Sequence, residues 1–152
     1  IDWAKRAEKI SNLACDITEI ISELGLTNVL EESRPTVTYH SACSMQHGQQ
    51  LRNKPKDLLS QAGFKVCEPA EQHLCCGSAG TYNLLQPGLA EQLQMRKVKS
   101  LNVVGNHIIA TGNIGCLVQI TQGFSAFGEE ASIVHTVELL DWATGGPKPT
   151  GI

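Results

Sequence analysis

Cys43, the adjacent pair Cys75-Cys76 and Cys116 lie in three widely separated stretches of the chain, each beside glycine, serine or alanine. Thiolates drawn from distant loops, with small neighbours that let backbone approach closely, point to a metal or cluster cage rather than to core filling. Four thiolates in one place repel, and they persist away from water only with a cation to neutralise them. A [4Fe–4S] cubane takes four cysteine sulfurs, which matches the count. Zinc also accepts four cysteines, but its structural sites are commonly built on Cys-x-x-Cys knuckles, and none is intact here, so zinc stands as the alternative. Gly77 and Gly80 suit a loop that wraps closely and aims backbone N–H groups at sulfur.

Other polar groups fall near the same places. His40, His73 and His135 lie at or near strand ends, and His47 sits in the Ser41–Gly48 loop. Each can ligate a metal or hydrogen-bond a cluster sulfur, or be a rim residue satisfied by backbone. Asn113 can donate a hydrogen bond to sulfur or hold its loop through an Asx-type turn. The supporting set around the cage is therefore Asn113, Gly77, His40, His47 and His135. Cys15, in a helical pattern, and Cys67, in a strand pattern, read as small structural thiols. His107 is given no role. Glu138 and Asp141 read as a solvated helix face. No Gly-x-Ser-x-Gly elbow, phosphate loop or His-Glu-x-x-His pattern occurs, so no catalytic residue is assigned and substrate chemistry on this domain alone is not expected.

The elements that must position these groups follow from hydrophobic period and turn residues. Trp3, Ala7, Ile10, Ala14, Ile17, Ile21 and Leu24 recur every three or four positions, predicting one long amphipathic helix that stops at Gly25, with Trp3 as a core or interface anchor. Residues 35–40, 64–68, 107–111 and 133–135 read as strands. Helices are expected after Pro55, from Pro87 along Leu89, Leu93, Lys97 and Leu101, over 117–122, and from a Thr136 cap to Trp142, itself an anchor. Repeated strand-helix units of this length predict an α/β fold: a parallel sheet of about four strands with helices on both faces, preceded by the long N-terminal helix. Ligands of such sheets bind outside the carboxyl ends of the strands, where all four cysteines fall.

Composition narrows the function classes. The chain has 152 residues, 41% hydrophobic and 18% charged, and suits one compact domain. Its net charge of −3, without a lysine/arginine run, argues against nucleic acid and against a polybasic membrane patch. No stretch is long and apolar enough for a transmembrane segment. Six cysteines on this length are too few for a small secreted disulfide scaffold, and a reducing, cytoplasmic setting is expected. The chain opens on Ile1 directly in a helical pattern, as a piece of something longer would.

The order of a cysteine, a long gap, Cys-Cys-Gly, a second long gap and a Cys-x-x-Cys position resembles the cysteine-rich CCG domain family, found in heterodisulfide reductases and in flavoprotein-linked iron–sulfur subunits. The runs His40–Gly48, Leu74–Asn83, Gly112–Cys116 and His135–Gly146 look like the iron–sulfur subunits of bacterial glycolate oxidases within that family. The resemblance implies that residues 1–152 are a single CCG-type domain, the carboxy-terminal fragment of a longer subunit. It implies a [4Fe–4S] cluster held by Cys43, Cys75, Cys76 and Cys116, which an isolated fragment can lose. It implies electron relay from FAD-containing glycolate oxidase subunits toward quinone, peripheral to the inner membrane. Related subunits serve lactate and glycerol-3-phosphate oxidation, and a zinc-stapled or metal-free module docking flavin subunits is the alternative from another class. The first cysteine of the last Cys-x-x-Cys is Asn113 here, which puts a five-cysteine non-cubane cluster in doubt.

Overall fold

The computed structural model of the chain describes residues 2–105 and 107–152. Strands β1 (Thr36–His40), β2 (Lys65–Cys67), β3 (Ile108–Thr111) and β4 (Ser132–His135) form one parallel sheet in the order β2-β1-β3-β4. In register, Thr38 lies beside Cys67 on one side and Ile109 on the other, and Thr111 bridges His40 and His135. Side chains alternate across the sheet, so each strand feeds two cores. Val37, Tyr39, Ile108, Ala110 and Val134 face the first core, with α3 (Lys54–Gln61) and α7 (Thr136–Ala143). Ile109 faces the second, with α5 (Pro87–Asn102) and α6 (Ile114–Ala126). Helices thus cover both faces, as the strand-helix alternation implies. Leu58, Leu59 and Leu139 are fully buried in the first core, each contributing roughly 2 kcal/mol of apolar transfer.

The order of strands decides where a site can form. The chain steps from β1 outward to β2, then returns over α5 to β3 and continues to β4. The direction of winding reverses at β1, which leaves a crevice beyond the carboxyl ends of β1 and β3.

The single N-terminal helix expected over Trp3–Leu24 is two helices, α1 (Trp3–Leu13) and α2 (Ile17–Leu24). Ala14 is extended, and Asp16 starts the second helix with a reciprocal cap. Its carboxylate accepts from the Thr18 N–H at 2.8 Å, while its own N–H donates to Glu19 Oε2 at 3.0 Å. The Asp-x-x-Glu start signal overrides an apolar period that runs unbroken through it. Gly25 does close α2, its N–H on the Ile21 carbonyl. No α1 residue is buried. Trp3 is exposed with Arg6 stacked on its ring, not a core anchor, and Cys15 is exposed at the break, not a buried thiol. Trp142 does pack inward, its ring 5.8 Å from that of Phe64 and covered by Arg34.

Two further helix starts differ from expectation. α7 is capped by His135, one residue before Thr136, with Nδ1 accepting from the Val137 N–H at 3.3 Å. α6 begins at Ile114, earlier than the expected 117, because the Asn113 side chain accepts from the Cys116 N–H at 3.2 Å. Cys116 therefore sits in the first turn of a helix. Among the described residues no helix is long and apolar enough to cross a membrane.

Candidate metal centre

The crevice beyond β1 and β3 gathers three segments. The first follows His40 and runs through Cys43 into a π-helical turn, Ser44–Gly48, whose Met45 is buried. The second carries Cys75 and Cys76 across from β2 to the short helix α4 (Tyr82–Leu85). The third is Gly112–Cys116 at the start of α6. Side chains tie them together. Gln46 Nε2 donates to the Ser41 carbonyl at 2.8 Å and the Gln72 carbonyl at 3.2 Å, joining the first segment to the second. Asn113 Nδ2 donates to Ser44 Oγ at 3.3 Å, joining the third to the first.

These segments bring the four cysteines to one crevice. Cys76 Sγ lies 3.2 Å from Cys116 Sγ, too far for a disulfide and close enough for thiol contact. Cys75 lies close enough to Cys76 on one side and Cys43 on the other for their thiols to influence one another. The Gly77 N–H points at Cys75 Sγ from 3.4 Å. Cys76 and Cys116 are buried, and Cys43 and Cys75 are half-buried. Contact with Cys116, and then burial, pushes the Cys76 thiol up to about 11. The Cys75 thiol is raised further by Cys76 and by burial, and Cys43 is raised by burial and by Cys75. Without a cation, Cys43, Cys75 and Cys76 are neutral thiols.

Two buried nitrogen groups complete the surroundings. His40 is 1% exposed, and its ring nitrogens have no hydrogen-bond partner among the described residues. Burial, then the nearby Lys97 ammonium, lowers its pKa to about 3, so the imidazole is neutral. One of its nitrogens lies with Cys76 Sγ and Cys116 Sγ in a group whose atoms are all within 4.8 Å of one another. Lys97 of α5 is fully buried, its ammonium donating to the Glu71 carbonyl at 2.7 Å. Burial lowers the Lys97 pKa, while Cys76, Glu71, Cys75 and Cys116 pull the other way. Above it, Arg96 pairs with the Glu71 carboxylate through Nε at 3.0 Å, which fixes the residue whose carbonyl Lys97 holds.

The other candidates are placed as follows. His47 is exposed and lines an open cleft with His73, Arg52 and Lys56, apart from the thiols. His135 is engaged in capping α7. Asn113 holds loops with both ends of its amide, the Asx-type arrangement, and makes no contact with sulfur among its hydrogen bonds. Lys97 is the buried charged group beside the thiols that the sequence reading passed over. Its signal is a lysine within the buried stripe Ala90, Lys97, Val98 and Leu101, where a cation needs a partner.

Residues 37–121 match the cysteine-rich domain family CCG. The chain belongs to that family. Among curated relatives, it is 33% identical over 141 residues to the glycolate oxidase iron-sulfur subunit of Escherichia coli K12, covering 93% of this chain and 33% of that protein. It is 27% identical to lactate utilization protein A of Bacillus subtilis 168, and 29% identical to that of Bacillus cereus B4264, covering 91% of this chain and 59% of each. The CCG chain thus spans a third of the first relative's length and about three-fifths of the others'.

Within this CCG domain the glycine of Cys75-Cys76-Gly77 has a steric reason. Its φ is +93°, and a Cβ there would lie 2.3 Å from the Ala90 carbonyl oxygen of α5. Gly112 in the third segment lies against a side chain instead, where a Cβ would meet Met45 Sδ at 2.7 Å. The close approach of Gly77 to the α5 backbone, and of Gly112 to Met45, lets three segments share one crevice.

Proposed function

We propose that this domain holds an iron–sulfur cluster through Cys43, Cys75, Cys76 and Cys116 and carries electrons within a 2-hydroxy-acid dehydrogenase. The observation that carries the reading is the gathering of four thiols from three loops, with Cys76 Sγ 3.2 Å from Cys116 Sγ, beside a fully buried lysine. Residues present fit a polyanionic centre. The thiols are soft donors, the Lys97 charge opposes theirs, and the Gly77 N–H faces sulfur. A bound [4Fe–4S] cluster would supply reversible uptake of one electron. The chain's own residues supply the cage, the opposing charge and exclusion of water at Cys76 and Cys116.

The names of the relatives support glycolate as the substrate of the whole assembly, with lactate as the second choice. In this reading the chain is the carboxy-terminal part of a longer subunit. Electrons arrive from an FAD-containing partner and leave toward quinone, and the assembly rests against the cytoplasmic side of the inner membrane. Beside the second and third segments, Leu84 and Ile114 are exposed apolar side chains that line one cleft with Ser78 and Gly115, and they suit a partner's surface more than water.

The reading is tested by anaerobic preparation of the intact subunit, with iron, sulfide and EPR measurements. Cys76→Ser is expected to lower iron content to less than half of wild type, while Cys15→Ser, on the exposed break, leaves it unchanged. A protein that folds and takes up no iron beside its partner subunits overturns the reading. A zinc-held docking module is favoured by one observation, the compact Cys76, Cys116 and His40 group, whose spread is compatible with a single tetrahedral ion. Zinc near one per chain without sulfide would establish that alternative.

The thiol environment adds a pH prediction. Since the Cys75 and Cys76 thiols are held above their ordinary range, each must lose a proton to ligate, and uptake releases protons. Affinity for iron should therefore rise with pH between about 6.5 and 8.5, by about tenfold per unit for each proton released. Anaerobic titration at three pH values measures the slope, and a flat profile contradicts neutral thiols in the metal-free chain.

A further inference from the structure

His40 ends β1 on the face of the second core and is 1% exposed, yet neither ring nitrogen has a hydrogen-bond partner among the described residues. A buried polar group in that condition gives up its hydration with nothing in return, and native proteins keep few of them. A [4Fe–4S] centre held by four thiolates has one cysteine sulfur on each iron, so the imidazole finds no open iron there. What remains for the ring is sulfur. One of its nitrogens lies within 4.8 Å of both Cys76 Sγ and Cys116 Sγ.

Of these two sulfurs, Cys116 is the one in want of a donor. Contact with Cys116 and burial raise the Cys76 thiol, but the Ser78 backbone N–H favours its thiolate. Cys116 spends its own N–H on the Asn113 side chain, and its sulfur shares the Cys76 thiol proton across 3.2 Å. That proton leaves on ligation. A buried anionic sulfur then lacks a donor, and a buried N–H that lacks an acceptor stands beside it. One bond answers both deficits. Burial, and then the Lys97 ammonium, keep the ring neutral, with one N–H to give and one lone pair to fill. Thr111, paired with His40 in the sheet, brings a buried and unpartnered hydroxyl to the same face as a donor for that lone pair. We propose that the His40 imidazole donates its N–H to the Cys116 thiolate of the loaded centre and so raises its reduction potential, acting on sulfur and not on iron. A donor to sulfur disperses the charge that an added electron brings, which favours the reduced state. The inference rests on the iron–sulfur reading above and deepens it. It also gives the burial of His40 a function, since a ring placed there for packing alone would be better apolar.

The test uses the intact subunit, loaded anaerobically with iron and sulfide, and two variants. His40→Phe fills the volume without a donor, and His40→Gln keeps an N–H. Redox titration followed by EPR reads the ratio of reduced to oxidised centre at a fixed potential. His40→Phe is expected to lower that ratio about threefold or more, which is about 28 mV for a one-electron couple, with near-normal iron content. His40→Gln should stay within about twofold of wild type. In wild type prepared with 15N-histidine, pulsed EPR of the reduced centre should show a weakly coupled histidine nitrogen. After exchange into heavy water it should also show a deuteron coupling that His40→Phe loses. A ratio for His40→Phe within about 1.5-fold of wild type overturns the inference, and so does an equal shift in both variants, which makes the ring a packing residue. A strongly coupled histidine nitrogen in wild type, with iron lost from His40→Phe, makes the ring a ligand and overturns it as well. Should neither variant fold, wild type still decides, because an iron-loaded subunit without any histidine coupling overturns the inference alone. A wild type that takes up no iron and sulfide overturns the cluster reading first, and metal analysis tells that failure from the others.

Discussion

Gly77→Ala is expected to abolish cluster uptake and to lower the stability of the metal-free chain by roughly 3 kcal/mol, a drop in Tm of about 6–12 °C at this size. Two costs combine. The backbone at this position has φ +93°, where an L side chain is strained by roughly 1–2 kcal/mol. The added methyl would also overlap the Ala90 carbonyl at 2.3 Å and crowd the Gln94 nitrogen at 3.2 Å, both backbone atoms of α5 that cannot rotate away. The segment must lift from α5, and it carries Cys75 and Cys76 with it. Gly80→Ala supplies the contrast within the same loop. Its φ is +65°, but nothing lies within 4 Å of the added carbon, so a loss of about 1 kcal/mol with near-normal iron content is expected. Thermal melts and iron analysis on the two variants separate conformational strain from close approach. Equal effects would show that the contact with α5 does not position the thiols.

That glycine illustrates what the sequence made legible. Gly77 beside two cysteines is visible as a place for close backbone approach, but which backbone it approaches depends on α5 returning over the sheet. The strands were readable because β-branched and aromatic residues cluster between turn residues, and the strand-helix alternation fixed the parallel sheet and the edge at which the cysteines collect. Local capping competed less visibly. Asp16 and Glu19 break a helix whose apolar spacing continues through them, and His135 takes a capping role that a serine, threonine or aspartate is expected to fill. Sorting the histidines required coordinates. His40 and His47 flank the same cysteine in sequence, yet strand alternation buries one beside sulfur and the π-helical turn puts the other on the surface. Lys97 was hidden for a related reason. Helical spacing marks which residues share a stripe, but it says nothing of the thiols that a separate loop lays against it.

Lys97→Met separates a charge at the centre from a filler of the core. In the metal-free chain the substitution removes a buried ammonium, which is costly to desolvate, and leaves the Glu71 carbonyl without its 2.7 Å donor. These terms oppose each other, and methionine matches the lysine stem in shape, so the Tm of the metal-free protein should stay within about 3 °C of wild type. The loaded protein should respond much more. A unit charge several Å from an anionic centre is worth on the order of 2 kcal/mol at an effective dielectric near 20. Loss of the cation makes each added electron harder to place, so the reduction potential should fall by roughly 50–100 mV, and iron affinity by about tenfold or more. Redox titration followed by EPR measures the first, and anaerobic iron titration the second. A potential within about 10 mV of wild type would mean that the ammonium acts only through the Glu71 carbonyl. Lys97→Gln then isolates that bond, since its amide can donate without carrying charge. If Gln restores iron uptake but not the potential, the carbonyl contact shapes the loop that presents Cys75 and Cys76, while the charge sets the energy of the electron they help to hold.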